Sequence, residues 1–354
     1  MTVRVVRAER PLTERWRGLP VEPRAATRLG ISFRPRQVEA LGLDARATLG
    51  RLLAYPFEVI RLGAYWDRME PGPGAFEPEE LDWQVAEAEA AGKRVILCVG
   101  AVKTFGYPEF FVPAHHLPEP LPEGALITTE THASLLAAAT AFVSRVVERY
   151  RDRAAVVSWQ VEHEAVDPLG MEHSWRLATA FVAEEVAAVR QADPTRPILM
   201  NGFLPTSLPV RVQQWWRTRD QGDSLAVAQQ LADIVGIDYY PRHALAGAAG
   251  WGLYLDGSGR GPRLFARGPR LMISEGQAEP WEAVTEPPAP DGRGLFSCSP
   301  EDLIANYNRC LRGARQANVE LEAYLFWGAE YWILREQRGD SRYLDAFARV
   351  LDSA

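Results

Sequence analysis

Residues 155–167 read AVVSWQVEHEAVD, a run of β-branched and aromatic residues that ends in charged ones. The apolar part is typical of a buried strand, but Glu162, His163 and Glu164 stand where that strand should end. An ionised carboxylate that leaves water needs a partner or a raised pKa, so carboxylates here indicate chemistry. A parallel strand that brings an acid to the open end of a barrel has this pattern. We therefore expect Glu164 to be a general acid/base that faces a second carboxylate.

Strand-like runs alternate with amphipathic helical stretches along most of the chain, which is the pattern of βα units around a parallel sheet. The predicted strands are residues 29–34, 57–63, 94–100, the start of 155–167, 197–202, 234–240, 270–275 and 321–327. The predicted helices are residues 43–54, 78–91, 131–150, 174–192 and 341–351. Eight strands with right-handed crossovers close into a ring, so the predicted fold is α/β, a single (β/α)8 TIM barrel.

Two connections interrupt this rhythm. Residues 242–269, after the sixth predicted strand, are rich in Gly, and residues 278–300, after the seventh, are rich in Pro and Glu. Both follow strand ends, so we expect two long loops on the face that carries the site. We expect one catalytic domain over residues 1–354, in which residues 1–28 are an N-terminal extension packed on the barrel.

The composition excludes several classes of protein. A hydrophobic content of 47% with 24% charged residues describes an ordinary globular chain. The net charge of −7, without a basic cluster, argues against nucleic-acid binding. No apolar run is long enough for a membrane span, and the charged N-terminus does not read as a signal peptide. We expect a cytoplasmic location with reduced cysteines and leave open whether the protein is a homo-oligomer.

A second predicted strand, the seventh, also ends in a glutamate, Glu275. A single strand that ends in glutamate could equally form an ordinary salt bridge there. Two such glutamates, on strands that lie nearly opposite in a ring of eight, indicate a functional pair. Hydrolysis of a glycosidic bond with retention uses such a pair, an acid and a nucleophile about 5–5.5 Å apart.

Five motifs, in order along the chain, resemble those of clan A glycoside hydrolases. They are VIRLGAYWDRMEPGPGAF (59–76), WQVEHE (159–164), VGIDYYP (235–241), ISEGQAEPW (273–281) and LFWGAEYW (325–332). This retaining (β/α)8 superfamily includes β-galactosidases, β-glucosidases, β-mannanases and cellulases. The resemblance extends from about Gly30 to Trp332 and implies a glycoside hydrolase with the barrel fold.

The resemblance also implies roles for single residues. Glu164 would be the acid/base and Glu275 the nucleophile. Arg61 would pair with Glu275 and keep it ionised, because a nearby cation favours the charged form of a carboxylate. Tyr240 would donate a hydrogen bond to the same carboxylate, and Trp327 would form the floor under the sugar ring.

Other positions leave alternatives open. His163 stands where the family normally has Asn, the residue that binds the sugar 2-hydroxyl, so β-mannosides or an unusual glycone remain open beside β-galactosides. Glu162 is an alternative acid. Glu330, Trp281 and Trp66 are candidate substrate-binding residues, for which loop or packing roles are equally open.

The expected function is cleavage of β-glycosidic bonds in small oligosaccharides or glycosides, with exo action favoured by the two long loops. An endo-β-glycanase such as a mannanase, or an inactive sugar-binding barrel, is the alternative. A metal-dependent barrel hydrolase is disfavoured, because the first strand has no HxH and HEAVD lacks the second histidine of HExxH. We expect a carbohydrate partner, no metal and no cofactor, and assign the pair His115–His116 to a surface loop.

Overall fold

The computed structural model describes residues 2–7, 12–106, 109–117, 119–167, 175–205, 208–248, 251–257, 269–280 and 297–353. Its strands are β1 (Thr2–Arg7), β2 (Arg28–Ser32), β3 (Val59–Gly63), β4 (Arg94–Cys98), β5 (Leu126–Ile127), β6 (Val156–Gln160), β7 (Arg176–Leu177), β8 (Ile198–Phe203), β9 (Ile234–Tyr239), β10 (Arg242–Ala248), β11 (Trp251–Asp256), β12 (Arg270–Gln277) and β13 (Leu321–Trp327). Eight of these strands form a closed barrel in the order β12–β13–β2–β3–β4–β6–β8–β9. The predicted (β/α)8 barrel is therefore confirmed.

The barrel strands are largely buried and mostly apolar, because both of their faces are covered. Every residue of β3, β8 and β9 is buried. Parallel strands enclosed in this way read as continuous apolar runs instead of alternating ones. For that reason all eight barrel strands can be found in the sequence, and β13 has the predicted bounds.

The described helices are α1 (Pro35–Ala40), α2 (Ala45–Leu53), α3 (Trp66–Met69), α4 (Glu79–Ala90), α5 (Ala133–Tyr150), α6 (Thr179–Ala192), α7 (Leu208–Thr218), α8 (Ser224–Leu231), α9 (Pro300–Ala317), α10 (Ala329–Gln337) and α11 (Arg342–Leu351). Local chemistry sets their ends. The Asp44 side chain accepts a hydrogen bond from the backbone N–H of Ala47 at the start of α2. Gly92, with φ +68°, follows the end of α4 in the left-handed conformation that glycine adopts freely.

The connection after the sixth barrel strand corrects the sequence analysis. Residues 242–248 and 251–256, expected to belong to a loop, form the antiparallel pair β10–β11, and β1 is the third strand of this small sheet in the order β1–β11–β10. The Gly- and Ala-rich composition hid these strands, because such residues have low strand propensity. Of the connection after the seventh strand, residues 281–296 lie outside the described residues.

The chain divides into two compact units. The first unit comprises Met1–Glu58, Leu204–Arg211 and Asp238–Ala354, and the second unit comprises Val59–Phe203 and Val212–Ile237. The prediction of one domain over residues 1–354 stays a prediction. Among the described residues, none of the helices has the length and apolar character needed to cross a membrane.

Candidate active site

Glu275 lies near the end of β12 in the first unit, where all residues after Arg270 are buried. The hydroxyl of Tyr240 donates a hydrogen bond to Oε2 of Glu275 across 2.5 Å. A short bond of this kind orients the carboxylate. Tyr240 directly follows β9, so the ends of two barrel strands position this pair. The predicted contact between Tyr240 and Glu275 is present.

A buried ionic cluster in the same unit holds Trp327. Arg34 donates from Nη1 to Oε1 of Glu279 at 2.8 Å and from Nη2 to Oε2 of Glu330 at 2.6 Å. Its guanidinium carbon lies 4.3 Å from the centre of the Trp327 ring, within the range of a cation–π contact. Glu330 is fully buried in this cluster, so its predicted role in substrate binding has no direct support from its position.

The charges of this cluster depend on one another. Burial raises the pKa of Glu279, and the positive charge of Arg34 opposes that shift. Burial also disfavours the charge of Arg34, but Glu279 and Glu330 together raise the pKa of its guanidinium. Two carboxylates around one arginine satisfy its donors in the interior, as a buried ion needs. We infer that the cluster fixes the orientation of the Trp327 ring.

Gly328 makes room for this cluster. Its φ of +120° is in the region that favours glycine, and a Cβ there would stand 2.3 Å from the Cβ of Glu279. A side chain at this position would therefore be strained by its backbone and would also overlap Glu279. The glycine in the motif LFWGAEYW has a structural reason, because it lets Glu279 approach the backbone directly after Trp327.

In the second unit, the chain makes an unusual turn after β6. Glu162 and Glu164 have φ values of 57° and 45°, in the left-handed region that costs a non-glycine residue about 1–2 kcal/mol. Glu162 stabilises the turn, because its carboxylate accepts hydrogen bonds from the backbone N–H groups of Val102 at 2.9 Å and Lys103 at 2.5 Å. The Lys103 ammonium donates to the backbone carbonyl oxygen of Glu164 at 2.7 Å.

These contacts distinguish the two glutamates of the turn. Both oxygens of Glu162 are bonded to backbone amides, so its carboxylate acts as an anchor. A Cβ on Gly100 would lie 2.1 Å from the backbone nitrogen of Glu162, so this close approach of the two segments also requires glycine. The arrangement favours Glu164 over Glu162 as the proposed acid/base.

Sequence reasoning missed Glu185, which lies on α6 and is fully buried. Burial raises the pKa of Glu185 well above its ordinary value, and the neighbouring carboxylate of Glu162 raises it further. Two adjacent carboxyl groups in the interior cannot both ionise at low cost, so we infer that Glu185 is the one that keeps its proton. The helical spacing could have predicted that Glu185 is buried, because it lies on the same helix face as the apolar residues Phe181, Val182 and Val189.

His163 is held in one tautomer by its neighbours. Its Nδ1 lies 2.9 Å from Nδ2 of Asn201 and 3.3 Å from Nη2 of Arg61, and both of these nitrogens are donors. The amide of Asn201 is oriented because its oxygen accepts from Nε2 of Gln160 at 3.0 Å. Burial and the charges of Arg61 and Lys103 lower the pKa of His163 well below its usual value. The imidazole is therefore neutral, with its proton on Nε2.

Arg61 lies on β3, fully buried, with its guanidinium 4.0 Å from the centre of the Phe105 ring. Its predicted pairing with Glu275 stays a prediction. Trp66 is fully buried and stacks on Phe142 with 5.4 Å between ring centres, which is a packing role. Trp281 lies outside the described residues.

The chain matches one protein family. A family model described as β-galactosidase, of glycoside hydrolase family 42, matches residues 45–183. This segment is less than half of the chain and contains Arg61, His163 and Glu164. No curated protein sequence matches the chain.

Solved structures of glycoside hydrolases are similar to the barrel. Native xylanase 10B from Thermotoga maritima has a TM-score of 0.54 at 14% identity, and the match covers 94% of this chain and 98% of the xylanase. The exo-β-1,4-mannosidase Op5Man5 from Opitutaceae bacterium strain TAV5 has a TM-score of 0.53 at 16% identity, and the match covers 87% of this chain and 53% of the mannosidase. GH5_18 from Streptomyces cattleya, in complex with GlcNAc, has a TM-score of 0.45 at 15% identity, and the match covers 61% of this chain and 52% of GH5_18. This chain thus spans about half the length of the last two proteins. At these identities, the likeness to the xylanase and to the mannosidase shows the fold.

Proposed function

We propose that this chain, a clan A glycoside hydrolase by its barrel and its family match, hydrolyses β-glycosidic bonds with retention of configuration. The observation that supports this proposal most is the 2.5 Å hydrogen bond from Tyr240 to Glu275. It joins a strand-end tyrosine to a strand-end carboxylate in the barrel, as a nucleophile that must be held in one orientation requires. Glu164, after the fourth barrel strand, is the proposed partner.

The proposed reaction has two steps. In the first, a carboxylate oxygen of Glu275 attacks the anomeric carbon while Glu164 gives its proton to the departing glycosidic oxygen. A covalent glycosyl ester forms and the aglycone leaves as an alcohol. In the second, Glu164 takes a proton from water, which attacks the same carbon and releases Glu275. Two displacements at one carbon return the original β configuration.

His163 has a proposed part in recognising the sugar. Its neutral tautomer carries a proton on Nε2, so that nitrogen is a donor as the amide of Asn would be. The natural acceptor is the 2-hydroxyl next to the anomeric carbon, where hydrogen bonds strengthen in the transition state. Trp327, held by Arg34, is the proposed floor under the glycone.

The proposed substrates are short β-glycosides, and exo action is preferred. The family match points to β-galactosides, and the mannosidase with a similar fold adds β-mannosides as the second glycone to test. An endo-β-glycanase and an inactive sugar-binding barrel are the alternatives. The net charge of −7 disfavours nucleic acid as a partner. We also propose that the protein is cytoplasmic.

The test is a panel of nitrophenyl glycosides that covers β-galactose, β-mannose, β-glucose, β-fucose, β-xylose and α-arabinofuranose. We expect turnover of at least one, and proton NMR should show a first product with the anomeric configuration of its substrate. Glu275→Gln should abolish turnover, while Glu322→Gln, a half-buried glutamate of β13, should not. A lack of turnover across the panel, or an inverted first product, would count against the proposal.

The two adjacent tyrosines provide a sharper test. Tyr240→Phe removes the hydroxyl that contacts Glu275, and we expect kcat/KM to fall by about 10²-fold, as for loss of one preorganised donor. Tyr239→Phe removes a hydroxyl from the preceding buried residue and should leave kcat/KM within about threefold. Equal losses in both variants would exclude a specific role for Tyr240.

A further inference from the structure

Two imidazoles and a carboxylate meet in the second unit, among residues with no role in the proposed reaction. Glu70 directly follows α3, and His115 and His116 lie in the short 3-10 helix Ala114–His116. Oε1 of Glu70 is 3.1 Å from Nε2 of His115 and 3.0 Å from Nε2 of His116. All three side chains are partly exposed, so an ion from solvent can reach them.

The spacing of these atoms suits a zinc ion. Zinc binds imidazole nitrogen at about 2.0–2.1 Å and carboxylate oxygen at about 2.0–2.2 Å, in tetrahedral geometry. Neighbouring ligand atoms of such a tetrahedron are about 3.3 Å apart. The two N···O separations at Glu70 are within about 0.3 Å of that value. The ligand atoms of the three residues all lie within 4.8 Å of one another.

The carboxylate is oriented by a second, independent contact. Nε1 of the buried Trp66 donates to Oε2 of Glu70 at 2.7 Å, which leaves Oε1 for the two imidazoles. The Trp66 ring is itself fixed, because it lies between Phe142, at 5.4 Å, and His116, at 4.8 Å between ring centres. Hydrogen bonds that orient a ligating carboxylate in this way are a regular feature of metal sites.

We propose that Glu70, His115 and His116 bind one Zn²⁺ ion, with water as the fourth ligand. Imidazole nitrogen favours zinc over magnesium and calcium, which prefer sites made of oxygen alone. The ion would join the turn after β3 to the segment after β4. Its role is structural, because none of its ligands takes part in the proposed hydrolysis, and the proposal stands whether or not the chain cleaves glycosides.

The experiment uses the whole chain after treatment with EDTA and dialysis. Equilibrium dialysis against Zn²⁺ should give one ion per chain, and binding should persist in millimolar Mg²⁺. Co²⁺ used as a probe should give the visible absorption of a four-coordinate site. No stoichiometric zinc, or a six-coordinate cobalt spectrum, would overturn the proposal.

Variants assign the ligands. Glu70→Gln, His115→Ala and His116→Ala should each weaken Zn²⁺ binding at least about tenfold. Trp66→Phe, which keeps an aromatic side chain but loses the indole N–H, should weaken it about 10- to 100-fold. His132→Ala, a change in a histidine outside the cluster, should bind zinc as the unchanged chain does. Equal affinity in Glu70→Gln and the unchanged chain would contradict the site.

A stability measurement covers the case in which a variant folds poorly. Zn²⁺ in excess should raise the melting temperature of the unchanged chain by about 2 °C or more, and EDTA should reverse the effect, because an ion that binds only the folded state stabilises it. Glu70→Gln should show no such rise at the same zinc concentration. A rise of equal size in both proteins would place the bound zinc elsewhere.

Discussion

Nδ2 of Asn201 lies 2.9 Å from Nδ1 of His163, and this contact determines which ring nitrogen carries the proton. An amide nitrogen can only donate, so Nδ1 accepts and the proton stays on Nε2. The relationship links a residue on β8 to the proposed recognition of the sugar. Replacing the Asn201 amide by a carboxylate therefore tests which nitrogen of His163 must donate.

Asn201→Asp should make kcat/KM low at alkaline pH and higher at acidic pH. A carboxylate at this position accepts a hydrogen bond, so the neutral ring would carry its proton on Nδ1 and lose the donor at Nε2. The new negative charge also raises the pKa of the ring, and the imidazolium that forms as the pH falls donates from both nitrogens. We expect kcat/KM to fall at least about tenfold at pH 8 and to recover toward pH 5. His163→Asn, a donor without tautomers, should remain active without this dependence, and a pH profile of Asn201→Asp equal to that of the unchanged enzyme would contradict the assignment.

Glu164→Ala should retain the first step on substrates with a good leaving group and lose the second. A nitrophenolate needs little help from an acid, so the glycosyl ester forms, but the water that must release it has lost its base. Azide needs no base and should restore turnover at least about tenfold, with a β-glycosyl azide as product. Glu162→Ala is the matched control, because its carboxylate anchors the turn through Val102 and Lys103. If azide restored turnover in Glu162→Ala and not in Glu164→Ala, Glu162 would be the acid/base and Glu164 would not.

Glu185→Gln should become more stable relative to the unchanged chain as the pH rises. The folded state raises the pKa of Glu185 well above 4.5 through burial and the adjacent Glu162, so it binds a proton that the unfolded chain releases. The unchanged chain therefore loses stability from about pH 4.5 up to the raised pKa, by as much as about 1.4 kcal/mol per pH unit. A neutral amide removes this loss. Urea unfolding at several pH values measures the difference, and Glu184→Gln, its exposed neighbour, should show none.

Gly328→Ala should destabilise the first unit more than Gly339→Ala. Both glycines have positive φ, +120° and +80°, but a Cβ at Gly339 would meet nothing within 4 Å, whereas one at Gly328 would overlap Glu279. The backbone term alone costs about 1–2 kcal/mol, and overlap in a packed interior adds about 1–3 kcal/mol. Denaturant unfolding gives both values. Equal losses would mean that Glu279 moves aside freely and that the ionic cluster around Arg34 does not need its present geometry.

The barrel could be predicted from the sequence because its strands are buried on both faces and separated by clear helical patterns. The clan A resemblance is confirmed by the family match over residues 45–183 and by the closed barrel. Helix α9 was missed although its start carries a strong signal, a capping box between Ser299 and Asp302 with Pro300 as the first helical residue. It lies next to residues 278–300, whose Pro and Glu content suggested only a loop.

What the sequence did not reveal depends on contacts between distant residues. Nothing local predicts that Glu162 and Glu164 adopt left-handed conformations, because that geometry is held by hydrogen bonds to Val102 and Lys103. The pairing of Glu330 with Arg34 spans almost the whole chain, so a glutamate that reads as a subsite residue is an internal counter-ion. Side-chain chemistry in a barrel is set by neighbours that sequence spacing does not bring together.

Strand β1 has a practical consequence for any shortened form of this protein. It pairs with β11 along Thr2–Arg7, so loss of the first seven residues would leave one side of β11 with unsatisfied backbone amides and carbonyls. An open ladder of this kind recruits strands from other molecules. A trimmed chain would then self-associate or precipitate even though every residue proposed for hydrolysis and for zinc binding is still in place.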